Sequence, residues 1–150
     1  MLEFLSNSPD ETKNIGIQTA SHLIPGSVVA LKGTLGSGKT IFAKGIAFGL
    51  GMSECITSPT YTIINEYTYA AGILYHIDAY RLNGDKDFEN IGGTEIINSG
   101  GICIIEWSEQ IPNSLPADTI TVSLEIKGVS SRLIKILGLA TETSMQAAVL

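Results

Sequence analysis

The eight residues from Gly33 to Thr40, GTLGSGKT, limit what this chain can fold into more than any other stretch. They fit the pattern G-x-x-x-x-G-K-[ST], whose glycines let the backbone curl until its N–H groups converge on phosphate oxygens. The pattern has meaning only between a buried strand and a helix, and the flanks supply both. SVVALKG before it is a short β-branched run of the kind that makes a buried strand, and KTIFAKGIAFGLG after it reads as a helix stopped by Gly51. Four constrained positions match by chance in roughly a few windows in 10⁵ at average composition. Strand, loop and helix in that order predict an α/β fold built around a phosphate-binding loop.

The remaining segments extend this picture. In SNSPDETKNIGIQTASHLIPG, Ser8 is placed to cap a helix with Pro9 at its first position, and Glu11 stands at capping-box spacing. Ile15, Ala20, Leu23 and Ile24 give that helix a rough apolar face, and Pro25-Gly26 is its expected stop; His22, near its end, reads as a surface or packing residue. SPTYTIINEYTYAAGILYHIDAYRL carries aromatic and β-branched residues on both sides of AAG, which predicts a β-hairpin with strands near Tyr61 to Tyr69 and Ile73 to Ile77. DKDFENIGGTEIINSGG reads as a broken helix or two short helical turns. GICIIEW is a second buried strand. LPADTITVSLEI and SRLIKILGLA are further strands joined by a turn at KGVS. The expected architecture is one P-loop NTPase domain over residues 1–150, with a mixed, mostly parallel sheet flanked by helices and a β-hairpin. TETSMQAAVL, from about residue 141, is expected to be a frayed tail.

Composition narrows the function classes. Hydrophobic residues make up 44% of the 150 and charged residues 16%, which fits a folded core and not a disordered chain. No apolar run approaches a membrane span, and MLEFLSNSPDETK lacks the basic start and apolar stretch of a signal peptide, so a cytosolic protein is expected. Cys55 and Cys103 are far apart and form no metal-ligand spacing. Cys103 sits in an apolar run that suits a small buried hydrophobe, and a disulfide is disfavoured. The formal charge is −6, with nine Lys plus Arg, which argues against stand-alone binding of nucleic acid.

Several side chains are candidates for chemistry beside the loop. Lys39 can reach β- and γ-phosphates, and Thr40 supplies a hydroxyl for Mg²⁺. An acidic residue should end a nearby buried strand to hold that metal, and ICIIEW supplies Glu106 where Asp is more usual. A surface carboxylate at a strand end is the plainer alternative, but the order of the elements favours the metal role. Thr60, in the SPT stretch, is placed to sense Mg²⁺ and a γ-phosphate, though an ordinary turn accounts for the stretch equally well. HIDAYRL puts His76, Asp78 and Tyr80 on one face of a strand, where they could orient water or magnesium. A solvated strand face is the simpler reading of that alternation. Arg81 would point the other way if the strand continued. Trp107 is either core or an aromatic lid, and periodicity does not decide between them. Asp85, Asp87 and Glu89 read as an acidic surface.

Four stretches in order, GTLGSGKT, SPTYTIINEY, HIDAYRL and IEWSE, resemble the bacterial TsaE (YjeE) family of small P-loop ATPases. The resemblance runs from about Thr12 to the strand carrying Arg132. It implies a P-loop α/β fold with a mixed sheet, ATP bound with Mg²⁺, and weak intrinsic hydrolysis. It implies work with a TsaB–TsaD complex that places threonylcarbamoyl on adenosine 37 of tRNAs reading ANN codons, tRNA being met only through those partners. The ATP cycle would then support or reset the complex and not perform the transfer. Residue by residue, Gly36, Ser37, Gly38, Lys39 and Thr40 match the phosphate loop, with Thr40 also on magnesium. Glu106 matches the acidic metal residue, Thr60 the switch-like threonine, and Asp78 the aspartate that orients water or metal. Thr12 and Arg132 resemble positions near the nucleotide base. The family's loop usually reads G-D-L-G-A-G-K-T, so Thr34 stands here in place of an aspartate and Ser37 in place of an alanine.

Competing classes leave weaker traces. A small-molecule kinase needs an acceptor pocket and, usually, several arginines to clamp phosphates, whereas Arg81 and Arg132 are the only two here. A regulatory GTPase of the common type carries N-K-x-D, and NGDKD does not match it. An interaction module that no longer hydrolyses nucleotide is opposed by intact Lys39, Thr40 and Glu106.

Overall fold

A computed structural model describes residues 1–53, 56–57 and 63–139. Among them one sheet of seven strands runs through the molecule in the order β1-β7-β6-β2-β5-β4-β3. The strands are β1 (Leu2–Ser6), β2 (Val28–Lys32), β3 (Ile64–Tyr69), β4 (Gly72–Asp78), β5 (Ile102–Glu106), β6 (Ile120–Ile126) and β7 (Arg132–Leu137), and the helices are α1 (Pro9–Ala20), α2 (Lys39–Gly49), α3 (Asp85–Asn90) and α4 (Gly93–Ile97). The four middle strands, β6, β2, β5 and β4, are mutually parallel, and the flanks are antiparallel. The expected mixed α/β sheet with a hairpin is therefore present, the hairpin being β3–β4. Its first strand begins at Ile64, and Tyr61 lies outside the described residues, as do Thr60 and Cys55.

The middle of the sheet is made of strands with no polar face. Val28 to Leu31 and Ile102 to Ile105 are buried on both sides, as parallel strands covered by helices require. Alternate residues of β5 feed two separate cores. Ile102 and Ile104 pack with Phe42, Ile46 and Ile15 under α1 and α2, while Cys103 and Ile105 pack with Phe88 and Ile97 under α3 and α4. Burial pushes the Cys103 thiol up to about 12, which suits the buried-hydrophobe role.

Helix α1 starts as its sequence dictates. Ser8 accepts the Glu11 N–H at 3.1 Å, and the Glu11 carboxylate reaches back to the Asn7 N–H at 2.6 Å. The helix ends at Ala20, well before the expected stop at Pro25. Ser21 caps it, and the following N–H groups fold onto carbonyls three residues back, His22 to Thr19 and Leu23 to Ala20, which tightens the chain into a turn. Helices α1 and α2 approach so closely that a methyl group on Gly16 would run into the Phe42 carbonyl, and one on Gly45 into the Lys13 carbonyl. This contact anchors α2, and with it the phosphate loop, against the rest of the fold.

Two features were not visible in the sequence. Strand β1 pairs antiparallel with β7, Leu2 against Ile136 and Ser6 against Arg132. It buries Leu2, Phe4 and Ser6 and exposes the residues between, an alternation too short to announce itself. Strand β4 ends at Asp78, so Tyr80 does not share a strand face with His76 and Asp78 as expected. The Tyr80 N–H turns back to donate to Asp78 Oδ1 at 3.0 Å.

Candidate functional site

The parallel register brings the carboxyl ends of β2, β5 and β4 level. Leu31 lies beside Glu106, and Glu106 beside Asp78. In open α/β sheets ligands bind just outside these ends, and here a cavity of about 430 Å³ opens there. Its walls are Leu35 to Ile41, Ile63, Asp78, Tyr80, Arg81, Glu106 and Trp107.

One wall is the phosphate loop. The chain leaves β2 at Lys32 and enters α2 at Lys39, and the residue that begins the helix, Gly38, has φ 103°. A side chain at that conformation would be strained, and no side chain caps the helix. The first-turn N–H groups of α2 have no partners within the helix and face the cavity with the positive end of its dipole, an arrangement suited to anions. Lys39 is nearly buried. Its ammonium donates to the Gly33 carbonyl at 2.6 Å and the Thr34 carbonyl at 3.1 Å, and lies 4.0 Å from the centre of the Trp107 ring. Burial lowers its pKa, opposed by the negative charges of Glu106, Glu109 and Asp78. The protein therefore places a cation where its charge is under-solvated, ready to be matched by an anion.

Opposite the loop stand two carboxylates. Glu106 is buried at the end of β5, and the Thr40 hydroxyl donates to its Oε1 at 3.0 Å. Its other oxygen, Oε2, contacts His76 Nε2 at 2.5 Å. Asp78 is half-buried, and its pKa is raised. Burial is the main cause, with Glu106 adding to it and the Tyr80 N–H, His76 and Lys39 opposing it. A hydroxyl and a carboxylate oxygen form a hard-oxygen pair suited to Mg²⁺, which keeps several waters and takes phosphate oxygens as further ligands. Thr40 and Glu106 could thus hold magnesium, and Gly36, Ser37, Gly38 and Lys39 could hold the phosphates.

Arg132 and Thr12 are near the loop but on its far side. Arg132 Nε donates to the Ser37 carbonyl at 3.1 Å and Nη2 to the Gly36 carbonyl at 3.0 Å, while Nη1 holds the carbonyls of Gly128 and Ser131. The Thr12 hydroxyl is engaged inside the fold with Ser6 Oγ at 2.7 Å. Both residues line a smaller cavity of about 80 Å³ together with Ser8, Gly36, Gly38 and Val129. Of the sequence-predicted residues, Lys39, Thr40, Asp78 and Glu106 meet in one place and Thr12 and Arg132 in the adjoining one.

The structure also corrects and adds to the sequence reading. His76 is not on a solvated strand face; it is fully buried and bonded to Glu106. The strand does not continue to Arg81, so the condition for its pointing the other way is not met; it follows the turn after Asp78 and lines the cavity. Trp107 lines the cavity beneath Lys39, 4.9 Å from the Tyr80 ring, and holds a left-handed backbone with φ 58°. Left-handed backbone at a bulky residue marks local strain of the kind found at functional sites. The E-W dipeptide ending a buried strand was the only trace of it in the sequence. Asp85 and Asp87 act locally, Asp85 accepting from Ser114 and Asn113 and Asp87 from the Asn83 N–H.

Comparison with known proteins decides the lineage. The model of the family described as threonylcarbamoyl adenosine biosynthesis protein TsaE matches residues 6–134. The chain belongs to the TsaE family. A Treponema pallidum protein named tRNA threonylcarbamoyladenosine biosynthesis protein TsaE is 42% identical over 132 residues, 88% of this chain and 97% of that one. The Bacillus subtilis protein of the same name is 39% identical over 131 residues, 87% of this chain and 82% of that one. Among solved structures, the crystal structure of Bacillus subtilis YdiB superposes with a TM-score of 0.76 at 35% identity, covering 98% of this chain and 91% of that chain. Nucleotide binding is what the family implies for the loop, and the match spans every element that builds the two cavities from Ser6 to Ile134. Among the described residues no helix is long and apolar enough to cross a membrane.

Proposed function

We propose that this TsaE-family chain is a Mg²⁺-dependent ATPase of tRNA threonylcarbamoyladenosine biosynthesis, acting on a TsaB–TsaD complex through its ATP cycle. The observation that carries the reading is the meeting of Thr40 Oγ1 with the buried Glu106 carboxylate at 3.0 Å, at the head of the phosphate-loop helix. The names of the relatives support the pathway.

Bound Mg²⁺ would neutralise charge developing on the phosphates and help align the attacking water. The chain's own residues have separable tasks. Backbone N–H groups of the loop bind phosphate oxygens. Lys39 exchanges its contacts with the Gly33 and Thr34 carbonyls for the β- and γ-phosphates. Thr40 and Glu106 hold the cation. Asp78, with a carboxylate whose pKa is raised toward proton acceptance, orients the water that attacks the γ-phosphate. Thr12 and Arg132 flank the base from the smaller cavity. Thr60, outside the described residues, would sense the γ-phosphate.

The site has the parts for hydrolysis and few for transfer to a second small substrate. Arg132 is committed to loop carbonyls, so it is not a mobile phosphate clamp. Partner proteins, and not this chain, would meet the tRNA, which accords with the charge of −6. The test measures ATP hydrolysis by the chain alone and with a TsaB–TsaD complex, then threonylcarbamoyladenosine formed on tRNA. Weak hydrolysis alone, stimulation by the complex and loss of multiple-turnover modification without the chain are expected. A phosphorylated small molecule formed at the rate of ATP loss, or modification indifferent to the chain, would contradict it.

A further inference from the structure

His76 contacts the Glu106 carboxylate and has no part in the hydrolysis proposed for this site. It lies in β4, fully buried, next to β5 and its Glu106. Its Nε2 is 2.5 Å from Glu106 Oε2. A carboxylate oxygen offers only lone pairs, so a contact this short requires the hydrogen on Nε2, which donates. The other ring nitrogen, Nδ1, is buried with no hydrogen-bond partner among the described residues. An apolar side chain would fill this position between β3 and β5 without stranding a polar atom. The imidazole is therefore held for its single satisfied contact.

We propose that His76 is a positioning residue that fixes the Glu106 carboxylate for magnesium. His76 donates to Oε2 from the sheet side, and the Thr40 hydroxyl lies nearer to Oε1, at 3.0 Å, than to Oε2, at 3.3 Å, so the imidazole is the closer of the two donors and the one that holds Oε2. Without that donor the carboxylate can rotate about its terminal bond, and the metal must then select one orientation out of several. Hydrogen bonds behind a metal ligand typically change metal affinity 10- to 100-fold when lost. The proposal rests on the Mg-ATP reading of the site, which it refines.

Two substitutions separate positioning from simple packing. Glutamine carries its amide nitrogen where the imidazole has Nε2, whereas asparagine carries it nearer to Nδ1, which has no partner to serve. The full chain with His76→Asn and with His76→Gln would be compared with the parent by calorimetric titration of ATP at stepped Mg²⁺ concentrations and in excess chelator. Hydrolysis would be followed over the same Mg²⁺ series. His76→Asn is expected to raise the Mg²⁺ midpoint of ATP binding and of hydrolysis by about 10-fold or more, leave chelator-condition binding unchanged, and keep a cooperative thermal transition. His76→Gln should return most of the shift. Both variants matching the parent midpoint, or both shifting equally, would overturn the positioning role. A variant that fails to fold leaves the other to decide against the parent, since His76→Gln alone must sit near the parent value and His76→Asn alone must not. A parent that binds ATP without any effect of Mg²⁺ would overturn the Mg-ATP reading itself and this proposal with it.

Discussion

Strands β2 and β5 are quiet along their length and costly at one end. Between Val28 and Leu31, and between Ile102 and Ile105, every side chain is apolar and buried. One residue further, at the carboxyl ends, Glu106 and nearby Lys39, Ser37 and His76 are polar and buried. Both buried side-chain atoms without a hydrogen-bond partner among the described residues, Ser37 Oγ and His76 Nδ1, belong to this end. So do both described non-glycine residues with positive φ, Ile63 and Trp107, each of which lines the larger cavity. An orphaned buried polar atom costs about 1–3 kcal/mol, and a strained backbone conformation about the same. Elsewhere among the described residues the buried polar side chains find partners, as in the Ser6–Thr12 pair and the Thr19 hydroxyl on the Ile15 carbonyl. Concentrated cost at one end of otherwise undemanding strands indicates that this end is kept for chemistry and the rest for stability.

Substitutions on the two sides of that boundary should have opposite signatures. Lys39→Ala is expected to reduce ATP hydrolysis by about 100-fold or more and to weaken nucleotide binding, while the thermal midpoint stays level or rises, because an under-solvated charge is removed. Ile104→Ala, in the middle of β5, should lose about 2–5 kcal/mol of stability yet leave turnover per folded molecule near that of the parent. Paired hydrolysis and chemical-denaturation measurements check both. A Lys39→Ala protein that keeps its turnover, or an Ile104→Ala protein that loses turnover and no stability, would erase the boundary.

A smaller effect tests the same boundary through pH. The Asp78 pKa is raised in the folded protein above its ordinary value of 3.8, chiefly by burial. Its protonated form is therefore favoured by folding. The stabilisation is fully present below the unfolded value and is lost as pH rises through the folded value. At neutral pH the charge opposes folding. Asp78→Asn keeps an oxygen for the Tyr80 N–H and removes that charge. It should raise the thermal midpoint at pH 7 by roughly a few degrees, an advantage that shrinks as pH falls toward the ordinary carboxyl value, and it should slow hydrolysis. A midpoint difference that does not change with pH would assign the effect to packing.

What the sequence disclosed follows from range. The phosphate loop is contiguous, so Gly36 to Thr40 and the strand and helix around them could be read directly. The hairpin and the short helices α3 and α4 were legible for the same reason. The contacts that complete the site join residues far apart in the chain. His76 meets Glu106, and Arg132 meets Ser37 and Gly36, only after the register of β4 on β5 and the return of β7 are set. Alternation in HIDAYRL could not distinguish a solvated face from a buried one, because that depends on what packs over the sheet and not on the strand itself. Strand β1 carries too few apolar residues to be recognised without β7. The Trp107 strain depends on how the chain leaves β5, which no local propensity encodes.

The central claim is that the carboxyl ends of these strands form a Mg-ATP site around Glu106. Its most direct test is a magnesium titration of ATP hydrolysis for the parent and for Glu106→Ala, with circular dichroism to verify the fold. The parent should saturate with Mg²⁺, and Glu106→Ala should keep the parent's spectrum but need at least about 10-fold more Mg²⁺ or fail to saturate. Superimposable titrations would contradict the account and assign the metal to another carboxylate.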